Sequence, residues 1–233
     1  MNIKGSKALV TGGGVGIGKA IAAALIAEGA DVAITGRRQD VLETAAQELG
    51  AWALPGDVSV EDDVVATMDA FVERMGRIDI LINNAGFGHF APLVEMDTAR
   101  FAEVFATNVT GAMMMGREAA RHFVRQGSGQ LVNISSTSGL KGGPGGTAYS
   151  ASKFALRGMT ECWRDELRRH NVRVLLVNPS EVITEFAGIA GYAQEDQPNK
   201  LHPPQIAQAL IGALKIDDVG FIPELSVFAT NPY

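Results

Sequence analysis

Tyr149 and Lys153 stand four residues apart in A-Y-S-A-S-K, residues 148–153. On a helix that spacing places both side chains on one face, one turn apart. A phenol with an ordinary pKa of about 10 is a poor acid or base at neutral pH. An ammonium beside it favours the phenolate and brings proton transfer into the working range. The plain alternative is an interface tyrosine and an exposed lysine that share the spacing by coincidence. A match this short arises often by chance, so the rest of the chain must decide.

A second group of residues suits an anionic ligand. The stretch T-G-G-G-V-G-I-G, residues 11–18, follows an apolar run and leads into a helical pattern. Gly12, Gly16 and Gly18 give G-x-x-x-G-x-G rather than the commoner G-x-G-x-x-G. Glycines there let the backbone turn tightly and approach a pyrophosphate, which rests on the orphan N–H groups of the helix start. The alternative is a glycine turn with no ligand. The next apolar run ends in T-G-R-R. A carboxylate at this place would accept from an adenosine ribose hydroxyl, but the chain has Gly36 followed by Arg37 and Arg38. Guanidinium groups suit a 2′-phosphate, so the expected cofactor is NADP(H) rather than NAD(H); a solvated arginine pair is the alternative. Asp57, in G-D-V-S with Val58, is expected either to cap the following helix, as Ser59 also could, or to reach an adenine amino group. N-N-A-G, residues 83–86, supplies Asn84, Ala85 and Gly86 at a further strand end, where small residues allow close approach to a ring.

These residues need a scaffold, and short apolar runs alternating with helix-period stretches imply βαβ units on a parallel sheet. Strands are expected at 8–11, 32–35, 52–55, 78–83, 130–135, 172–178 and, more weakly patterned, 220–222. Helices are expected at 16–28, 39–49, 60–74, 98–125, 147–169 and 203–214. The fold class is therefore α/β: a doubly wound, seven-stranded parallel sheet of Rossmann type, in a single domain over residues 1–233. In such a sheet the ligand crevice lies outside the carboxyl ends of the strands. That is where the unusual residues fall.

Composition narrows the partners. The net charge of -6 and the lack of a basic cluster argue against nucleic acid or an anionic membrane. Cys162 is the only cysteine, which excludes an internal disulfide framework and a multi-thiolate metal site. His89, His122, His170 and His202 lie far apart without ligand-like spacing, so no metal site is expected. With neither a leader-like nor a membrane-spanning apolar stretch, the expected location is cytoplasmic.

The glycine loop, N-N-A-G and Y-S-A-S-K occur in this order at successive strand ends, and the chain resembles the short-chain dehydrogenase/reductase family over essentially its whole length. The resemblance implies hydride transfer between a nicotinamide and a carbonyl or secondary alcohol. It also implies a catalytic serine 13 residues before the tyrosine, and Ser136 stands there, with Ser135 as its neighbour. Strand alternation would turn the Ser135 side chain to the other face. Asn108, in F-A-T-N-V-T-G, matches the family's catalytic asparagine, implied to hold a water linking Lys153 to solvent. By the same resemblance the cofactor meets Gly12, Gly14, Val15, Gly16, Ile17 and Gly18, then Pro179, Val182 and Thr184, as well as Tyr149 and Lys153.

One departure concerns the sixth strand end, where the family's P-G becomes Pro179-Ser180. A serine lacks glycine's freedom at positive φ, so a changed substrate pocket is expected. Substrate contacts are expected from Ser136, Tyr149 and Ser180, with His89 at the pocket mouth or simply a loop histidine. The segment 186–201 is expected to be a substrate lid. G-G-P-G-G, residues 142–146, is expected to loop over the pocket floor, and Met113 to Met115 to serve core or subunit contact. Arg121, Arg125, Arg168 and Arg169 suit helix C-termini, with docking of an acyl carrier protein as the other reading. The resemblance implies a homodimer or homotetramer. The expected substrate is a 3-oxoacyl thioester of a carrier protein or coenzyme A; the alternatives are another small ketone, sugar, steroid or aromatic ketone. A non-catalytic dinucleotide sensor, or a non-redox enzyme on this fold, would be expected to lose the tyrosine, the lysine or the glycine loop, and all are present.

Overall fold

The structure, a computed structural model, describes residues 2–191 and 193–231. Met1, Tyr192, Pro232 and Tyr233 lie outside the described residues, and with them one position of the expected lid and the last two of the apolar tail. Seven strands form one parallel sheet: β1 (Lys7–Thr11), β2 (Asp31–Gly36), β3 (Trp52–Pro55), β4 (Ile80–Asn83), β5 (Gly129–Ile134), β6 (Val172–Pro179) and β7 (Glu224–Val227). Their order is β3-β2-β1-β4-β5-β6-β7, so the chain reverses direction between β1 and β4. A crevice opens at that switch point, on the carboxyl side of the sheet.

The strands read as unbroken apolar runs because both faces are covered. Alternation divides each run between two cores. Ala8 and Val10 join Val32, Ile34, Ile80 and Ile82 beneath α1 (Gly16–Ala27), α2 (Gln39–Leu49) and α8 (Pro203–Leu214). Leu9, Ala33, Leu81 and Leu131 face the other way, under α3 (Glu61–Met75) and α5 (Ala112–Gln126). Phe71 and Phe123 are fully buried in this second core. Met114 and Met115 are buried there too, which fits the core reading of the methionine run. α6 (Thr147–Leu167) lies beside α5, with Trp163 and Leu167 packed on the same core.

Three differences from the sequence expectations have physical causes. The long helix expected at 98–125 is α4 (Thr98–Phe105) and α5 joined by a π-helical turn, Ala106–Gly111, wound around Asn108. The last strand begins at Glu224 rather than in 220–222. Pro223 has no N–H for the ladder but accepts from the Leu176 N–H through its carbonyl, so regular pairing starts after it. Neither Asp57 nor Ser59 caps α3, whose cap residue is Val60 without a side-chain bond. Asp57 Oδ1 instead accepts from the Ser59 N–H (2.9 Å) and hydroxyl (2.7 Å), closing a turn ahead of the helix.

A buried polar chain fixes α6 against the sheet. Asn83 and Asn133 are register partners on β4 and β5, and Asn83 Nδ2 donates to Asn133 Oδ1 at 3.0 Å and to the Ala112 carbonyl at 3.0 Å. Asn133 Nδ2 donates to Thr160 Oγ1 at 2.8 Å, and that hydroxyl donates to the Leu156 carbonyl within α6. Thr160→Val keeps the shape and removes the acceptor, stranding a buried amide N–H. We expect a loss of about 1–3 kcal/mol in urea unfolding with an unchanged m-value.

Candidate active site

The crevice has a volume of about 750 Å³ and draws its walls from the carboxyl ends of β1 to β6 and from the first turns of α6. Its floor at one end is the glycine loop after β1. Gly12 (φ +63°) and Gly16 (φ +54°) sit in the left-handed region. A Cβ on Gly12 would lie 3.0 Å from both Ala85 Cα and Asn84 Nδ2. One on Gly18 would run into the Gly12 carbonyl oxygen. The cap residue of α1, Val15, makes no side-chain bond, and the first turn holds no acidic residue, which leaves the orphan N–H groups to an anion.

Thr11 ties this loop to N-N-A-G. Its hydroxyl accepts from the Asn84 and Ala85 N–H groups, both at 3.0 Å, and the Asn84 side-chain amide donates back to the Thr11 and Gly12 carbonyls. Sequence reasoning missed Thr11, although its place directly before the first glycine marks the end of β1.

At the β2 end, Arg37 and Arg38 both line the crevice. Arg37 is well exposed and loosely held, with Asp57 Oδ2 at 3.7 Å. Arg38 reaches across to Glu185 at 3.3 Å, an ion pair between residues 147 apart in sequence. Asp57 and Val58 line the wall beside them.

The tyrosine and lysine lie at the other end, on α6, and both are largely buried: Tyr149 is 9% and Lys153 5% exposed. Lys153 Nζ donates to the Ile134 carbonyl at 2.9 Å and lies 5.7 Å from the centre of the Tyr149 ring. Burial pushes its pKa down from the usual 10.5 to about 8. Ser136 lines the crevice, its hydroxyl accepting from the Ser138 N–H at 3.1 Å. Ser135 lines the crevice as well, but it is buried and its hydroxyl donates to the Lys153 carbonyl at 3.4 Å. Asn108 is buried in the π-helical turn near Lys153: a Cβ on Gly86 would lie 3.0 Å from Asn108 Oδ1 and 3.6 Å from Lys153 Nζ. Its Oδ1 accepts from the Phe87 N–H, and its Nδ2 donates to the Phe87 carbonyl and to Ser152 Oγ. The side chain is thus committed to protein groups and clamps the loop after β4 to α6.

Pro179, Ser180, Val182 and Thr184 complete the wall. Ser180 needs no positive φ; among the described non-glycine residues only Asn171 adopts one. Its N–H donates to the Val227 carbonyl at 2.9 Å, and its side chain faces the crevice without backbone strain. The segment 186–201 begins with the short helix α7 (Phe186–Ala190) and returns to its start, where the Ile183 N–H donates to the Leu201 carbonyl at 2.8 Å. His89 is not among the lining residues. Its neighbours Phe87 and Phe90 are, together with Phe186, and no local spacing in the sequence signalled these three aromatic rings.

Comparison with known proteins agrees with this geometry. The family model described as short chain dehydrogenase matches residues 6–193. Zerumbone synthase of Zingiber zerumbet is 36% identical over 193 residues, covering 80% of this chain and 72% of that protein. A 3-ketoacyl-(acyl-carrier-protein) reductase from Brucella melitensis, solved with NADH, superposes with a TM-score of 0.91 at 28% identity, covering 98% of each chain. An alcohol dehydrogenase from Thermococcus sibiricus, complexed with 5-hydroxy-NADP, gives 0.88 at 27% identity, covering 97% of each.

The buried lysine gives a pH test. Unfolded, it keeps its proton up to about 10.5; folded, it releases it at about 8. Between these values the unfolded chain binds more protons, so stability from this group is full above the upper value and falls as pH drops through the lower one. Relative to Lys153→Met, the wild-type unfolding free energy should therefore rise by on the order of 2 kcal/mol from about pH 8 to about pH 10. A flat or falling difference would show that the lysine is not charged and buried as described.

Proposed function

The chain belongs to the short-chain dehydrogenase/reductase family, and from that premise we propose an NADPH-preferring carbonyl reductase that works on 3-oxoacyl thioesters carried by a carrier protein or coenzyme A. The observation that carries the reading is the placement of Tyr149 and Lys153 on one face of α6 at one end of a crevice whose other end is the glycine loop. The residues fit a dinucleotide: glycines that a Cβ would disrupt, an uncapped helix start, and arginines where a 2′-phosphate would lie. NAD(P)(H) dependence follows from the family, and the preference for the phosphorylated form rests on Gly36, Arg37 and Arg38.

When bound, the reduced nicotinamide supplies a hydride, two electrons and one proton, to the carbonyl carbon and is left oxidised. The chain supplies the rest. Tyr149 gives its phenolic proton to the carbonyl oxygen, so the product is a secondary alcohol. Lys153 favours loss of that proton through its charge and would bond the cofactor's ribose hydroxyls. The Ser136 hydroxyl donates to the same substrate oxygen as negative charge develops there. Asn108 would hold the water that links Lys153 to solvent, while its side chain ties the Phe87 loop to α6. The segment 186–201 closes over the substrate as a lid.

The thioester substrate accords with the Brucella melitensis relative. Self-association as a dimer or tetramer would use the groove between α5 and α6, which presents Met113, Val124 and Trp163. No helix among the described residues is long and apolar enough to cross a membrane.

Two measurements test the proposal. Tyr149→Phe should lower kcat for acetoacetyl-coenzyme A reduction by ~10²–10⁴ with little change in NADPH binding; wild-type turnover would overturn the assignment. Arg37→Ala should lower kcat/KM for NADPH by ~10–100-fold, the value of a charge-assisted bond, while leaving NADH use nearly unchanged. Equal losses with both cofactors would place Arg37 elsewhere.

A further inference from the structure

The end of the crevice that holds Tyr149 is walled by aromatic rings. The Phe90 ring lies 5.6 Å from that of Tyr149 at 48°, and the Phe186 ring lies 5.2 Å away at 54°. The two phenylalanines come from different segments, the loop after β4 and the first residue of α7, and they converge over Gly88. A Cβ there would lie 2.7 Å from Phe90 Cε2 and 2.8 Å from Phe186 Cζ. Phe87 lines the same end.

Charge is distributed in the opposite sense. Among the described residues, the cations lining the crevice are Arg37, Arg38 and Lys153. The arginines follow β2, three positions from β5 in the sheet, or about 14 Å at ordinary strand spacing. Lys153 is buried and hydrogen-bonded to the Ile134 carbonyl, behind the tyrosine ring. Glu181 and Glu185 also line the crevice, and each is ion-paired, Glu181 with Lys200 at 3.5 Å and Glu185 with Arg38 at 3.3 Å. A carboxylate or phosphate beside the reacting carbonyl would therefore meet apolar rings, and the cations nearest to it are already engaged: Lys153 by the Ile134 carbonyl, Arg38 by Glu185 and Lys200 by Glu181.

Resting on the carbonyl-reductase reading above, we propose that this site selects carbonyl compounds whose substituent is an uncharged apolar chain or ring seated against the wall of Phe87, Phe90 and Phe186, and that it rejects sugar phosphates and oxo acids. Among 3-oxoacyl thioesters it takes longer acyl chains in preference to acetoacetyl. The charged part of the thioester carrier stays at the crevice mouth and is the same throughout such a series.

The test is NADPH oxidation by acetoacetyl-, 3-oxohexanoyl- and 3-oxooctanoyl-coenzyme A, with acetophenone, a ketose phosphate and a 2-oxo acid measured alongside. Each methylene buried against the rings should raise kcat/KM about fourfold until the pocket is filled. Acetophenone should be reduced at least about tenfold more efficiently than the two anionic carbonyls. Phe90→Ala and Phe186→Ala should flatten the chain-length series, with Phe186→Leu restoring part of the slope. NADPH binding, followed by protein fluorescence, shows that each variant is folded. A wild-type series that is flat or falls with length, or faster turnover of either anionic carbonyl, overturns the selectivity while leaving carbonyl reduction intact. NADPH binding without reduction of any of these compounds would bring down both the function and the selectivity that rests on it.

Discussion

A charged side chain taken out of water organises this molecule. Lys153 sits in the interior with its ammonium directed at one carbonyl, Ile134 O, and lying over the Tyr149 ring. Removing an ammonium from water costs several kcal/mol unless its bonds are replaced, and the lowered pKa measures how incompletely they are. That cost can be met only if α6 is held rigidly against the end of β5. Two further contacts do so: Ser135 Oγ on the Lys153 carbonyl, and the Asn83–Asn133–Thr160 chain two turns along. Stability and chemistry thus draw on the same seam between β5 and α6.

The opposite end of the crevice is built on different terms. There the backbone rather than a side chain approaches the ligand, and glycines, an uncapped helix start and the Thr11–Asn84 stitching hold it open. Between the two ends the character changes from cationic at β2 to aromatic beside Tyr149. One elongated cavity therefore offers two environments, charged for one ligand and dry for another. Arg38 and Glu185 span the cationic part from opposite walls.

Much of this was legible in the chain because the signals are local. The helices Gln39–Leu49 and Pro203–Leu214 and the strand Trp52–Pro55 begin and end where periodicity and flanking residues place them. The glycine loop and the Y-x-x-x-K face need only their own neighbours to be recognised. What stayed hidden depends on contacts between distant segments. Phe87, Phe90 and Phe186 form a wall only once β4 and β6 are neighbours of β5 in the sheet. Asp57 reads equally as a helix cap or a turn-former until Ser59 and Asp63 are seen to take up the hydrogen bonds around it. The π-helical turn leaves the apolar pattern of 98–125 continuous, because a wider ring of hydrogen bonds changes no residue types.

That turn also governs which changes of length the chain tolerates. In a helix each residue advances the next by about 100°, and Ala106–Gly111 holds extra chain without a matching advance. Dropping one residue there would restore regular α-helical bonding and leave Met114, Met115 and Phe123 facing the sheet, yet it would remove the wide turn that carries Asn108 to Phe87 and Ser152. The extra residue is thus dispensable to the packing of α4 and α5 and indispensable to the clamp at Asn108. Length in this connection is set by the crevice rather than by the core.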